Sequence, residues 1–148
     1  MDYSLSHTLT RMLARILLLP AALLAWSNIA TSEEVPALEG TNWQLIEMTV
    51  LGGYKFSPAE PGKYVLNFRT DNRLTGTSDC NDIGGSWYQE GSSLRFDPLG
   101  VSRKLCVPGS LHNNFALVLR DVQEIESVGE RLLLKTSTEG VMLEFEAR

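Results

Sequence analysis

From Thr41 onward the chain alternates between apolar and polar positions with a period of two, broken repeatedly by glycine, proline, asparagine and aspartate. That period marks strands, and the breaks mark the turns between them. In the first run Trp43, Leu45 and Glu47 fall on one side and Gln44, Ile46 and Met48 on the other, so this strand is expected to be covered on both faces. Gly52-Gly53 and the stretch from Ser57-Pro58 to Pro61-Gly62 bracket a short Tyr54-Lys55-Phe56 piece. Tyr64, Leu66 and Phe68 then alternate with Val65, Asn67 and Arg69. Asp71-Asn72 supplies a tight turn, and Arg73 to Thr77 reads as the returning strand. Gly84-Gly85 is expected to open a further strand, Ser86 to Gln89, which Glu90-Gly91-Ser92 folds back into Leu94 to Asp97 as a hairpin.

One stretch changes period. After Pro108-Gly109-Ser110, the residues Leu111, Phe115, Val118, Leu119 and Val122 recur at helical spacing, with His112, Asn113, Asn114 and Arg120 on the other side. Ser110 is the expected N-cap. Three strands follow, Glu124 to Val128, Arg131 to Thr136 and Val141 to Glu146, with turns at Gly129-Glu130 and Glu139-Gly140. Many short strands and one late helix predict a mostly β domain: an antiparallel curled sheet or cracked β-barrel, with the amphipathic helix covering one end.

The first residues follow a different logic. Arg11 and Arg15 precede an apolar run from Ile16 to Trp26, and small and polar residues come next. This is the order of a cleavable secretory signal. As a helix the run would rise about 16 Å, roughly half the hydrocarbon core of a bilayer, and Pro20 weakens it further. Residues 1–32 are therefore expected to be a signal peptide cut after Ser32, with Ala30 as the alternative site. No cysteine adjoins either site, so a lipid anchor is not expected and no stable membrane span remains after cleavage. Residues 33–39 read as a flexible lead-in, and residues 40–148 as one domain. The formal net charge of −5 argues against nucleic acid or an anionic membrane surface as partner.

Cys80 and Cys106 are the two cysteines. In an exported chain their simplest reading is one disulfide. Two buried thiols, or a metal site completed by Asp79 and His112, are the alternatives. The spacing fits no tight zinc pattern, and the absence of Cys-x-x-Cys speaks against an oxidoreductase.

Little else suggests catalysis. His112 is the one histidine after the signal, and its helical phase reads as surface; no Gly-x-Ser-x-Gly elbow accompanies it. Asp79 and Asp82 flank Cys80-Asn81, where acids around a turn more often bond the backbone than share a proton. Asn81 is expected to tie a loop to neighbouring backbone. Gly84-Gly85 lacks the helix and the Lys-Ser/Thr of a phosphate loop. Trp87 and Tyr88 are adjacent in a strand, so one points inward and the other outward, where it could anchor a peptide or apolar ligand. Arg103-Lys104 is a compact basic spot that could meet an acidic partner. No metal and no cofactor is expected.

Asp79-Cys80-Asn81, Gly85-Ser86-Trp87, Leu94-Arg95-Phe96 and Ser102-Arg103-Lys104-Leu105-Cys106 together resemble the signature of the META domain / HslJ family. Trp43-Gln44-Leu45 resembles its opening, and the helix with Gly129, Leu132, Leu134, Gly140 and Phe145 its close. Asp79 stands where the family usually has glycine, Ser102 where it has threonine, Leu105 where alanine is common, and His112 where glutamate often sits. If that glycine adopts positive φ, aspartate is among the less costly replacements.

The resemblance implies a bacterial envelope protein linked to stress, in a family not known for enzymes, with a barrel similar to secretin pilot proteins. The expected function is thus a non-enzymatic, periplasmic or secreted interaction module, monomeric, with an envelope protein or apolar ligand as partner. A secreted inhibitor of a lysozyme or protease, or a lipid carrier, are the alternatives.

Overall fold

The computed structural model describes residues 35–148. The signal peptide and its cleavage sites, and the first two residues of the lead-in, lie outside the described residues. The strands are β1 (Asn42–Val50), β2 (Tyr54–Phe56), β3 (Tyr64–Phe68), β4 (Arg73–Ser78), β5 (Asn81–Glu90) and β6 (Ser93–Val101). Helix α1 (His112–Arg120) follows, then β7 (Val122–Val128), β8 (Arg131–Thr136) and β9 (Met142–Ala147). From β3 to β9 each strand pairs with its successor, and β1 pairs with both β3 and β9. The result is a closed, eight-stranded antiparallel barrel, to which β2 adds a short hairpin on β1.

The alternating pattern explains most of this ring. Tyr64, Leu66 and Phe68 all point into the core, and Asp71 and Asn72 both adopt φ 57° in the turn that follows. Left-handed backbone at two successive positions suits a tight hairpin, and Asp and Asn adopt it at lower cost than other side-chain-bearing residues. The interior is filled by side chains. Phe115 meets Tyr64 edge-on at 5.6 Å and Phe145 at 6.2 Å, and Phe68 meets Trp87 edge-on at 5.5 Å. Helix α1 touches β4, β6 and β9, strands on different sides of the ring, and so lies across one end of it. Burying Phe115, Val118 and Leu119 stabilises that docking by about 1.5–3 kcal/mol each.

Four sequence expectations are corrected. In β1 a bulge between Leu45 and Glu47 resets the alternation, so Leu45 and Met48 both face the core although they differ in parity. Strand β5 begins at Asn81, not after Gly84-Gly85, and those glycines lie inside it. A Cβ on Gly85 would stand 2.1 Å from the Pro98 carbonyl oxygen, so glycine is there to let β6 approach. The described part of the lead-in is packed rather than free: Leu38 is 1% exposed in the core, and the Pro36 carbonyl accepts the Gln89 side-chain N–H at 3.0 Å. Helix α1 starts one residue later than a Ser110 cap requires, with Leu111 at the N-cap. Ser110 Oγ still accepts the His112 N–H at 3.2 Å.

Candidate functional site

Asp79 and Cys80 join β4 to β5, and Asp79 adopts φ 57°. The turn delivers Asn81 to the first position of β5 with 1% of its surface exposed. From there its amide does the work of a strand partner. Asn81 Oδ1 accepts the Lys104 N–H at 2.7 Å and the Ser102 hydroxyl at 3.0 Å, and Nδ2 donates to the Lys104 carbonyl at 3.1 Å. Ser102 continues the ladder: its N–H donates to the Asp82 carbonyl at 3.0 Å, and its Oγ accepts the Asp82 N–H at 2.9 Å. Cys80 and Cys106 form a disulfide beside the same amide, with Asn81 Nδ2 3.2 Å from Cys106 Sγ. The bond takes up both sulfurs that a metal site would have needed. Among the described residues no group of His, Cys, Asp and Glu is placed to hold a metal ion.

Segment 102–106 is thus fixed from behind by one covalent bond and several hydrogen bonds, while its outer side faces solvent. Arg103 and Lys104 are exposed, Leu105 is 101% exposed and Val107 70%. Lys104 Nζ lies 3.0 Å from Asp82 Oδ2, so half of the basic spot is already paired. Asp79 is not joined to Asp82 in a carboxylate pair; its nearest cation is Lys63, at 3.9 Å. The Glu60 carboxylate bonded to Lys63, and secondarily its charge, hold that ammonium's pKa above its usual range.

His112 departs from expectation. Its Nδ1 lies 2.8 Å from the hydroxyl of Ser78, which is fully buried. The first turn of α1 therefore leans on the end of β4, and His112 is half-buried rather than a plain surface residue. A serine bonded to a histidine is the opening of a nucleophilic dyad, but Ser78 offers no surface to a substrate. Trp87 faces inward, its Nε1 donating to the Arg69 carbonyl at 3.3 Å. Tyr88 faces outward under the Arg95 guanidinium, 4.3 Å from its ring centroid, so one face of the aromatic is occupied.

A META domain model matches residues 36–148. The chain belongs to the META domain family. The match begins two residues before Leu38, in keeping with that side chain's place in this META domain's core. No curated protein is a significant match to the chain. Among solved structures, a protein from Burkholderia xenovorans determined by NMR is similar, with TM-score 0.64 and 23% identity over 75% of this chain and 83% of that one. A DUF4847 family protein from Bacteroides vulgatus has TM-score 0.54 and 12% identity over 74% and 93%. At these identities the likeness is one of fold.

Sequence reasoning singled out Asn81, Ser102 and Lys104 separately and expected only the two cysteines to meet; the structure gathers all five around the Asn81 amide. That reasoning missed Leu117, an apolar residue off the helix stripe and 66% exposed, and Leu51 in the β1–β2 turn, 74% exposed. Both line one cavity. An apolar residue on the polar face of α1 is the signal that would have found it.

Proposed function

We propose that this META domain is an exported, non-enzymatic binding module that engages a partner protein of the bacterial envelope, in a stress setting, through segment 102–107. The observation that carries this reading is Leu105, wholly exposed on backbone that the disulfide and Asn81 hold in place. A large apolar side chain held there contributes nothing to folding, and backbone already ordered loses little entropy on docking. Export rests on Arg11, Arg15 and the run from Ile16 to Trp26, and a disulfide suits an oxidising compartment. The burial of Ser78 supports a structural role for the Ser78–His112 pair.

The same geometry favours a second reading, inhibition of a secreted hydrolase, because a fixed segment with a wholly exposed leucine could enter an enzyme cleft at little entropic cost. The barrel interior is filled by side chains, which speaks against a lipid carried inside it.

A photo-crosslinking side chain placed at position 105 of the full chain, expressed in the bacterial envelope, tests the proposal. One discrete adduct is expected at 105, absent for the same group at position 88. Lack of any adduct at 105 would sink the reading. Stoichiometric inhibition in a panel of lysozymes and proteases would favour the inhibitor.

A further inference from the structure

From Pro98 to Arg120 the chain holds no aspartate or glutamate, although its formal net charge is −5. The same stretch carries Arg103, Lys104 and Arg120. Folding gathers these cations: Arg103, Lys104 and Leu105 from one segment, and Asn113, Ala116 and Arg120 from α1, line one cavity of about 380 Å³. Among the described residues no carboxylate lines it. Lys104 is paired with Asp82 at 3.0 Å, which leaves the charges of Arg103 and Arg120. Neither guanidinium has a hydrogen bond or ion pair among the described residues. Arg120 also borders the hollows that hold Asp121 and Glu124, yet it is paired with neither, and Arg103 borders neither hollow. The first turn of α1, which contributes Asn113, contains no acidic residue to offset the positive end of the helix dipole. The cavity is therefore net positive within a net negative chain.

Unpaired positive charge beside a wholly exposed leucine asks for a partner that carries carboxylates next to apolar side chains. We propose that the cavity receives an acidic peptide segment of a partner protein, with carboxylates on Arg103 and Arg120 and an apolar side chain against Leu105. This assignment rests on the reading of segment 102–107 as the docking face, and names the chemistry that face takes. Guanidinium groups fit carboxylates in bidentate fashion. Leu105 has no use to an inorganic anion but gives a peptide side chain something to cover. Asn113 is exposed, and its amide has no hydrogen bond among the described residues. It offers a donor and an acceptor together, which a peptide group uses and a phosphate group does not. The net charge of the chain opposes a bilayer or a nucleic acid, whose negative charge extends well beyond one cavity.

Titration of the disulfide-bonded full chain with the acetylated peptide Glu-Glu-Leu-Glu-Glu-Leu, followed by amide chemical shifts, tests the assignment. Saturable one-to-one binding is expected, with shifts centred on residues 102–105 and 112–120. The peptide Gln-Gln-Leu-Gln-Gln-Leu should bind about tenfold more weakly, as for two partly exposed ion pairs lost. Arg103→Gln and Arg120→Gln alter exposed positions, and each should weaken the acidic peptide about three- to fivefold. Leu105→Ser should weaken it too. Arg73→Gln, at an exposed arginine of β4 outside the cavity, should leave binding unchanged. The proposal is overturned if the acidic peptide does not saturate, if the glutamine peptide binds as well, or if neither arginine variant weakens it. Displacement of the peptide by an equal concentration of inorganic phosphate would overturn it in favour of a small anion. Tighter, Arg103-dependent binding to phosphatidylglycerol vesicles would overturn it in favour of a membrane. A crosslink at position 105 in the envelope without acidic-peptide binding would keep the docking face and overturn its acidic partner. Peptide binding without a crosslink would support the acidic site and count only against the envelope partner.

Discussion

The side chain of Asn81 is joined to the peptide of Lys104 twice, accepting its N–H at 2.7 Å and donating to its carbonyl at 3.1 Å. Two bonds to one peptide fix both position and orientation, which a single bond does not. Asn81→Ala should therefore cost about 2–3 kcal/mol, through the bonds lost and the partly buried peptide left unpaired. Asn81→Asp should also destabilise, because it keeps the acceptor and sets a second oxygen against the Lys104 carbonyl. Urea unfolding of the two variants checks both outcomes.

The disulfide closes the same segment over a sequence separation of 26. Replacing both cysteines by serine should lower stability by about 3–4 kcal/mol, the loop-closure entropy returned to the unfolded chain. Hydrogen exchange should then rise most at Lys104, while the ladders of β7, β8 and β9 stay protected. Uniform loss of protection would instead mean that the bond holds the whole barrel.

Gly85→Ala is expected to be among the most damaging small changes. The added carbon meets backbone, the Pro98 carbonyl at 2.1 Å, and not a side chain that can turn aside. A cost of about 2–3 kcal/mol, or failure to fold, follows from overpacking against a strand. Gly84→Ala one residue away has open space, and its melting temperature should lie far closer to that of the parent.

Leu38→Ala should lower stability by about 2–4 kcal/mol, as for a leucine removed from a packed core. Val35, which is exposed, should tolerate alanine. Equal, negligible effects at both positions would mean that the segment ahead of β1 contributes nothing to the fold.

Periodic features were the legible ones. The alternation in β3, the stripe of α1 and the turns of the last hairpin each repeat, and repetition is what a pattern can carry. The left-handed backbone of Asp79 was hinted at only through the resemblance, which has glycine at that position; aspartate is among the side-chain-bearing residues that adopt it at lower cost. Leu38 was not legible, because one apolar residue among Glu, Pro and Ala has no period. The bulge in β1 was hidden for a related reason: one extra residue makes the pattern on its far side look like the opposite face. His112 was misjudged because contacts of a helix's first turn depend on what stands before it, here the buried Ser78. The Leu51–Leu117 cavity needs the closed ring before its two walls meet, so no local reading reaches it.

Closure of the ring through β1 and β9 pairs Trp43 with Ala147, and the Arg148 N–H donates to the Asn42 carbonyl at 3.0 Å. The first strand of the barrel thus completes its neighbours with the last. Until the final hairpin has arrived, one edge of β1 has only water to bond, and contacts this remote in sequence form slowly. A nascent chain stalled before β9 would present a hydrophobic half-cylinder with open seams, a ready substrate for chaperones and proteases. Quality control would therefore sense truncation at the C-terminus as sharply as any core substitution.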